Sequence, residues 1–450
     1  MDLLALDVRL DGFDDPVGVF VRDERGAVAF GYNRGYLANP DATPLSLSLP
    51  LAGGPYPDFA ARAFFGNLLQ ERDGALTDVM EREGLARDDI AGLLFHLGKD
   101  CAGALSVLPM GSPPVKVPGD YQRDYVPIPP DRLAAIVEAL HKRRRLPDGM
   151  EDPSPLAGVQ SKIALTLLPD GRLAEPNPRS GAPTTHILKV PDQDHKRDAR
   201  YEAEAMDLSR MLGMETAEAT AFPVGGIEAL LVTRFDRRRD RQNRVVRLHQ
   251  EDFAQALGLP ASMKYERRGK EGSRFDVPGI RKILEQTVDP AHAKEAFIQA
   301  TIFDLLVGNA DGHAKNFAVL HEPGGRVRLA PRYDILPTRL DDSLTDELAY
   351  SIGDAKTLDE VTPRALDAFF QALGIENVAG RRRLGQRYAR EIAFALASRL
   401  KALEKKEKRF ADLIASNIRV LLGALGIEIP EAARERDAFI GKAGGWHMPS

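Results

Sequence analysis

The amino-acid sequence predicts an α+β fold with two lobes. Patterns typical of short strands dominate residues 163 to 248, and apolar residues at helical spacing dominate residues 250 to 425, apart from one predicted hairpin. Because strands and helices are segregated along the chain instead of alternating, we expect a sheet-rich lobe followed by a mostly helical C-terminal lobe.

A further segment precedes these two lobes. Short strands are predicted around Val17 to Tyr36, and helices from Phe59 through Phe95, which indicates an N-terminal α+β subdomain. Proline-rich stretches punctuate the connection to the next part of the chain. The predicted domains are residues 1–110, 111–248 and 249–450.

Length and composition limit the classes of protein to consider. The chain has 450 residues, 43% of them hydrophobic, which is enough for several domains with buried cores. The net charge of −5 argues against binding nucleic acid through a broadly basic surface. Cys101 is the single cysteine, which excludes an internal disulfide. With no signal-peptide pattern and no long apolar run, we expect a cytoplasmic protein that does not enter the membrane.

The sheet-rich lobe begins with a loop of small and polar residues before a predicted strand from Ile163 to Leu168. The loop residues are Ala157, Gly158, Val159, Gln160, Ser161 and Lys162. Such a loop could lay backbone amides along phosphate groups. Its single glycine is a weak signal, and it matches neither standard glycine-rich nucleotide motif.

The next strand and helix carry one lysine and one glutamate that could meet. His186 to Val190 is predicted as a strand, with Lys189 among apolar residues. In the following helix, Tyr201 to Leu212, the apolar stripe extends back to Glu202 and not to Glu204. Glu202 is therefore the better partner for Lys189, and Glu204 is expected to face solvent. An exposed lysine on an edge strand accounts for the pattern equally well.

Another strand is predicted from Ile227 to Asp236. Backbone groups of Thr233, Arg234 and Phe235 could pair there with an adenine edge, although an ordinary core strand has the same composition. Five arginines follow between residues 237 and 244. A solvated hairpin tip accounts for them best, and docking of an acidic partner is the alternative.

The loop from Val307 to Asn316 is the most informative stretch of the helical lobe. Asp311, an asparagine five residues later and Asp334 beyond a predicted hairpin have the spacing with which protein kinases hold a catalytic base and two Mg²⁺ ligands. Hard oxygen ligands of this kind suit Mg²⁺ and not zinc. A predicted helix from Ala293 to Leu306 holds the loop. Taken alone, the spacing also occurs in ordinary turns.

The order of these segments resembles the HipA-type serine/threonine kinases, the toxins of bacterial toxin–antitoxin modules. The resemblance covers nearly the whole chain and implies a two-lobed protein-kinase-like fold. It rests on residues 44–50, 64–69, 98–104, 157–162, 185–189, 234–237, Asp252, 257–260, 264–266, 308–316 and 333–334.

The resemblance implies a role for each matching residue. Asp311 would be the catalytic base, Asn316 and Asp334 the Mg²⁺ ligands, and Lys189 the contact to the ATP phosphates. Residues 158–162 would form a mobile phosphate loop.

Members of that family are controlled by autophosphorylation of a serine just before the phosphate loop. Here Pro155 stands at the aligned position, and the nearest hydroxyl belongs to Ser154. Ser154 or Ser161 would substitute for the missing serine, or this control is absent.

The sequence as a whole predicts an ATP- and Mg²⁺-dependent serine/threonine kinase. By resemblance, its substrate is an aminoacyl-tRNA synthetase, so that translation and growth stop, and its partner is a HipB-like helix-turn-helix antitoxin through which contact with DNA is mainly indirect. Two other classes stay open: a kinase for a small-molecule hydroxyl, and a non-catalytic binding protein with the same fold. The four intact residues Lys189, Asp311, Asn316 and Asp334 argue against the last.

Overall fold

The computed structural model describes residues 2–71, 73–147, 150, 160–322, 324–436 and 439. Contacts between Cα atoms divide the chain into two compact units. Unit 1 consists of Met1–Arg200, Ala217–Ala261 and Ala318–Ala330, and unit 2 of Tyr201–Thr216, Ser262–Phe317 and Pro331–Ser450. The domain boundaries at residues 110 and 248 stay a prediction.

In the described residues, the strands are β1 (Leu4–Leu10), β2 (Gly18–Arg22), β3 (Val28–Tyr32), β4 (Leu105–Pro109), β5 (Tyr125–Pro127), β6 (Lys162–Leu167), β7 (Leu173–Pro176), β8 (His186–Lys189), β9 (Ala219–Val224), β10 (Ile227–Thr233), β11 (Arg237–Arg239), β12 (Val245–Arg247), β13 (Gln250–Asp252), β14 (Ala318–His321) and β15 (Val327–Leu329).

The helices are α1 (Arg34–Leu37), α2 (Asp58–Gly66), α3 (Asp73–Glu83), α4 (Ile90–Leu97), α5 (Pro130–Arg143), α6 (Asp198–Met211), α7 (Phe253–Ala256), α8 (Val277–Leu284), α9 (Pro290–Val307), α10 (Pro363–Ala372), α11 (Val378–Ala397), α12 (Leu400–Ala424) and α13 (Glu431–Arg434). Among the described residues, no helix is long and apolar enough to cross a membrane.

Unit 1 begins with an antiparallel sheet in the order β3-β2-β1-β4. Leu6 pairs with Phe20 of β2, and Val8 with Val107 of β4. Side chains alternate between the two faces of a strand, so Leu6, Val8 and Leu10 share one buried face. Helices α2 and α4 contribute to the same core, where the rings of Phe20 and Phe65 stack with centroids 4.2 Å apart. The predicted α+β subdomain is thus present, with β1 and β4 as strands that the sequence did not predict.

A second, six-stranded sheet of unit 1 has the order β5-β7-β6-β8-β10-β9. Helix α5 packs its apolar stripe, Ile136, Val137 and Leu140, into the same buried cluster as Ile163 and Leu188. Lys162 of β6 pairs directly with Lys189 of β8. The predicted strands from Ile163 and His186 are confirmed within one residue at their ends, and the strand predicted from Ile227 to Asp236 is confirmed as β10 but ends three residues earlier, at Thr233.

Unit 2 is built mainly from helices around α9. This helix starts after Asp289, whose carboxylate accepts from the backbone N–H of His292, and has Pro290 at its first position. From Phe297 to Val307 its residues are buried nearly all round because helices α8, α11 and α12 contact it. The predicted helices that begin near Tyr201 and Ala293 are confirmed as α6 and α9.

Candidate active site

The loop that carries Asp311 starts where α9 ends, at Gly308. The φ angle of Gly308 is 78°, in the left-handed region that favours glycine. A Cβ atom on this residue would lie 2.7 Å from Leu413 Cδ2. The Gly308 carbonyl accepts from the N–H of Arg339 at 3.1 Å. Only glycine fits both this backbone conformation and this close approach.

Asp304, on the last turn of α9, anchors the start of the loop. Its backbone carbonyl accepts from the N–H of Asn309 at 2.9 Å, and its Oδ1 accepts from Asn309 Nδ2 at 3.1 Å. Arg332 Nη2 donates to the same Oδ1 at 2.5 Å. Burial raises the pKa of Asp304, while the Arg332 guanidinium opposes that shift. One carboxylate thus joins the helix, the loop and the segment that leads to Asp334.

Asp311 is held by its backbone and by one side-chain oxygen. Its N–H donates to Asn309 Oδ1 at 3.2 Å, and its carbonyl accepts from His313 N at 2.7 Å and from Asn316 Nδ2 at 2.9 Å. The hydroxyl of Tyr265 donates to Asp311 Oδ1 at 2.7 Å. The half-buried carboxylate therefore has a defined orientation.

The donor atoms near this loop fit Mg²⁺. Because a carbonyl can only accept, the amide group of Asn316 must turn its NH₂ toward Asp311, so its Oδ1 is the end left to hold a metal. Asp334 has φ 58°, which is uncommon for a residue other than glycine, although aspartate adopts it more often than most; such backbone conformations cluster at active sites. Its neighbour Tyr333 donates to the carbonyl of Lys315, next to Asn316, at 2.7 Å. One amide and one carboxylate oxygen are the ligand type that Mg²⁺ takes beside phosphates and water.

In unit 1, two lysines lie side by side on the six-stranded sheet. Lys162 and Lys189 are direct cross-strand partners, and both are half-buried. Since Ile163 and Leu188 pack with helix α5, the alternation of side chains puts both lysines on the opposite face. Like charges directly opposite each other are unfavourable in a sheet, and a bound anion would offset that repulsion.

The two glutamates of α6 have different surroundings. Glu202 is only 1% exposed, in agreement with the predicted inward stripe. The expectation that Glu204 faces solvent is wrong: its carboxylate accepts from Lys406 Nζ of α12 at 2.7 Å and is 19% exposed. The sequence did not show that α12 lies beside this helix. The pairing of Glu202 with Lys189 stays a prediction.

The segment from Thr233 to Phe235 already uses two of its backbone amides within unit 1. The N–H of Thr233 donates to the carbonyl of Glu218 at 2.8 Å, and that of Arg234 to the carbonyl of Thr185 at 3.0 Å. These two amides can pair with an adenine edge only after breaking those bonds. Adenine contact in this segment stays a prediction.

The arginine run after this strand is only partly solvated. A hairpin is present here as β11 and β12, but Arg237–Arg239 form its first strand instead of its tip, and Arg238 and Arg239 are exposed. The Arg237 side chain, by contrast, is 3% exposed. It donates to the carbonyl oxygens of Thr184 at 2.9 Å and Gly103 at 3.1 Å. The prediction that Arg237 lies in a solvated hairpin tip is therefore wrong, because residues of the N-terminal subdomain cover its side chain.

The first part of the predicted phosphate loop, Ala157, Gly158 and Val159, lies outside the described residues, and so do Ser154 and Pro155. Gln160, Ser161 and Lys162 lead into β6. The Ser161 carbonyl accepts from the N–H of Val190 at 2.8 Å, and the residue is 8% exposed. A buried serine is a poor site for modification, which leaves Ser154 as the stronger of the two predicted sites.

Two family descriptions match the sequence: the HipA N-terminal domain over residues 6–108 and the HipA-like C-terminal domain over residues 154–403. The chain belongs to the HipA family. Among HipA relatives, the serine/threonine-protein kinase toxin HipA of Shewanella oneidensis is 30% identical over 386 residues, which are 82% of this chain and 84% of that protein. The protein Y4mE of Sinorhizobium fredii is 35% identical over 384 residues, 85% of this chain and 89% of its own.

The structure resembles that of a solved HipA. The match is to the complex of HipA, HipB and operator DNA from Shewanella oneidensis MR-1, with a TM-score of 0.75, 26% identity, 96% of this chain and 100% of that one. This likeness confirms the predicted α+β, two-lobed fold.

No role was predicted from the sequence for two residues that hold the loop of Asp311, Tyr265 and Asp304. Lys264 to Glu266 contributed to the resemblance, but no role followed from it. Tyr265 lies 46 positions before Asp311, so no local spacing connects them. Asp304 was missed for the same reason, since its pairing with Arg332 spans 28 positions.

Proposed function

We propose that this HipA-family protein is an ATP- and Mg²⁺-dependent serine/threonine-protein kinase. The observation that carries the proposal is the closed loop from Asp311 to Asn316. The Asn316 side chain bonds back to the Asp311 carbonyl, which leaves one amide oxygen for a metal beside a carboxylate of defined orientation. Such a loop supplies the base and a Mg²⁺ ligand for phosphoryl transfer.

The proposed chemistry assigns one task to each residue. Asp311 accepts the proton of the substrate hydroxyl while that oxygen bonds to the γ-phosphorus and the bond to ADP breaks. Asn316 and Asp334 would hold Mg²⁺, which neutralises charge on the phosphates when it is bound. Lys189 contacts the phosphates, with Lys162 beside it on the next strand. Glu202 orients Lys189.

The proposed partners follow from the family. The Shewanella relative was solved as a complex with HipB and operator DNA. We propose that a HipB-like helix-turn-helix antitoxin binds and neutralises this chain, and that contact with DNA is mainly indirect, through the antitoxin. The proposed substrate is an aminoacyl-tRNA synthetase in the cytoplasm, whose phosphorylation arrests translation and growth.

Mass spectrometry after incubation with Mg²⁺ and ATP tests this function. Wild-type protein, Asp311→Asn and a matched control, Asp354→Asn, would be incubated with purified aminoacyl-tRNA synthetases. Asp354 is exposed and lies in the same unit as Asp311. We expect phosphate on a serine or threonine of a synthetase, lowered at least about 100-fold by Asp311→Asn and unchanged in the control.

Two results would contradict the proposal. Equal transfer by Asp311→Asn would remove Asp311 from the role of base. In a second experiment, the protein would be incubated with a cell lysate and labelled ATP. Transfer of the label only to small molecules would favour the small-molecule kinase.

A further inference from the structure

The side chain of Tyr265 lies against the carboxylate that we propose as the base. Its hydroxyl donates to Asp311 Oδ1 at 2.7 Å. Burial, together with the adjacent Asp311 carboxylate, raises the pKa of this phenol above its ordinary value. The hydroxyl therefore keeps its proton at neutral pH and remains a hydrogen-bond donor.

The backbone around Tyr265 is fixed on both sides. The carbonyl of Lys264 accepts from the N–H of Ala314, in the loop of the candidate base, at 3.0 Å. The N–H of Glu266 donates to the carbonyl of Ala349 at 2.9 Å. Tyr265 therefore belongs to the same rigid arrangement as that loop.

The ring of Tyr265 is held independently of its hydroxyl. It meets the His313 imidazole edge-on, with centroids 5.2 Å apart, and the Arg267 guanidinium carbon lies 4.3 Å from the ring centroid. Edge-on aromatic pairs and cation–π contacts are both attractive. Since neither involves the hydroxyl, phenylalanine at this position would keep both.

The hydrogen bond decides which oxygen of Asp311 is available. The terminal torsion of an aspartate is broad and roughly two-fold, so an unrestrained carboxylate turns freely. Tyr265 holds Oδ1, which leaves Oδ2 to accept the proton of the substrate. We propose that Tyr265 is a positioning residue that fixes the Asp311 carboxylate for proton transfer. This inference rests on the proposed function, in which Asp311 is the base.

The opposite role for the same hydroxyl is to block the approach of a substrate hydroxyl to Asp311. A phenol 2.7 Å from the base occupies a position that a substrate hydroxyl could take. The two roles predict opposite changes in the rate of phosphate transfer when the hydroxyl is removed. Loss of a positioning hydroxyl slows transfer, whereas loss of a blocking hydroxyl accelerates it.

The test compares Tyr265→Phe with Tyr350→Phe. The hydroxyl of Tyr350 also lies in unit 2, where it bonds to Thr301 Oγ1 at 2.8 Å, so each variant loses one hydrogen-bonded hydroxyl. Transfer of phosphate from MgATP to dephosphorylated casein, a serine-rich probe, would be measured with thermal unfolding of each variant. For Tyr265→Phe we expect kcat to fall about 10- to 100-fold, with KM for ATP changed less than about two-fold. Tyr350→Phe should stay within about two-fold of wild type.

A double mutant tests whether Tyr265 acts through Asp311. In an Asp311→Asn background, Tyr265→Phe should lower the residual transfer by less than about two-fold, because the carboxylate that it positions is gone. An additive loss would overturn the inference.

The remaining outcomes are equally decisive. Unchanged or faster transfer by Tyr265→Phe would overturn the positioning role and leave the proposed function standing, and faster transfer would identify the hydroxyl as a block. Failure of Tyr265→Phe to fold, while Tyr350→Phe folds, would make the hydroxyl structural and also overturn the inference. A wild-type protein that transfers no phosphate to casein or to the synthetases would overturn the proposed function and the inference together.

Discussion

Gly308 is the residue where the backbone requirement of the candidate site is strictest. Replacement by alanine puts a side chain into the left-handed region and brings Cβ to 2.7 Å from Leu413. We expect Gly308→Ala to lower the free energy of unfolding by about 1–3 kcal/mol, and to lower phosphate transfer because the loop of Asp311 moves. Gly423→Ala is the control: Gly423 lies within α12, and its added Cβ would meet no atom within 4 Å. Equal urea-unfolding midpoints for the two variants would contradict this prediction.

At the same scale of single residues, the sequence predicted the candidate site residues that lie close together along the chain. Asp311 and Asn316 are five positions apart, and the structure joins them by one hydrogen bond. Tyr265 and Asp304 act on the loop from 46 positions away and from the preceding helix. Partners of this kind depend on packing, which has no fixed spacing in the sequence.

At the scale of elements, the lysine pair on β6 and β8 gives a test of nucleotide binding that does not need an acceptor substrate. A hydrogen bond to a charged group contributes about 1.5–3 kcal/mol, so we expect Lys189→Met to raise Kd for MgATP about 10- to 100-fold. The MgATP-induced rise in Tm should shrink accordingly. Lys99→Met, at an exposed position of the same unit, should behave like wild type. A wild-type Kd for Lys189→Met, measured by calorimetry, would remove this lysine from the phosphate site.

The elements themselves were predictable where their pattern is long or regular. Helix α9 has caps at both ends and a long apolar sequence, and it was predicted within a few residues. Strands β1 and β4 were missed because their pairing joins residues 6 and 109, at opposite ends of the subdomain. The partner of Glu204 was missed because α12 follows about 200 positions later.

At the scale of the whole molecule, contacts join segments that lie far apart in the sequence. Within unit 1, Glu251 accepts from the backbone N–H of Leu47 at 2.9 Å and meets His321 Nε2 at 3.0 Å. His249 Nε2 bonds to the carbonyl of Leu45 at 2.8 Å. These residues join β13 and β14 to the N-terminal subdomain, across about 200 positions of sequence. Composition and periodicity predict that cores exist, but not which segments share them.

The buried histidines of unit 1 make stability depend on pH. Burial, with smaller effects of His321 and Arg247, lowers the pKa of His249 to about 3, and burial lowers that of His186 to about 4. In the unfolded chain a histidine titrates near pH 6.5, so below that value the unfolded state binds more protons than the folded state. The stability present above pH 6.5 is therefore lost as the pH falls toward 4, by up to about 1.4 kcal/mol per pH unit for each histidine.

His249→Gln isolates one of these groups, because glutamine can still donate to the Leu45 carbonyl but does not titrate. We expect the free energy of unfolding in urea to fall less steeply for this variant between pH 6.5 and 4.5, by up to about 1.4 kcal/mol per pH unit. His292→Gln, at an exposed position of unit 2, should keep the wild-type slope. The carboxylates contribute equally to all three proteins, so the difference between slopes reports the histidine alone. Identical slopes for wild type and His249→Gln would mean that His249 is protonated in the folded protein, against the pKa that its burial imposes.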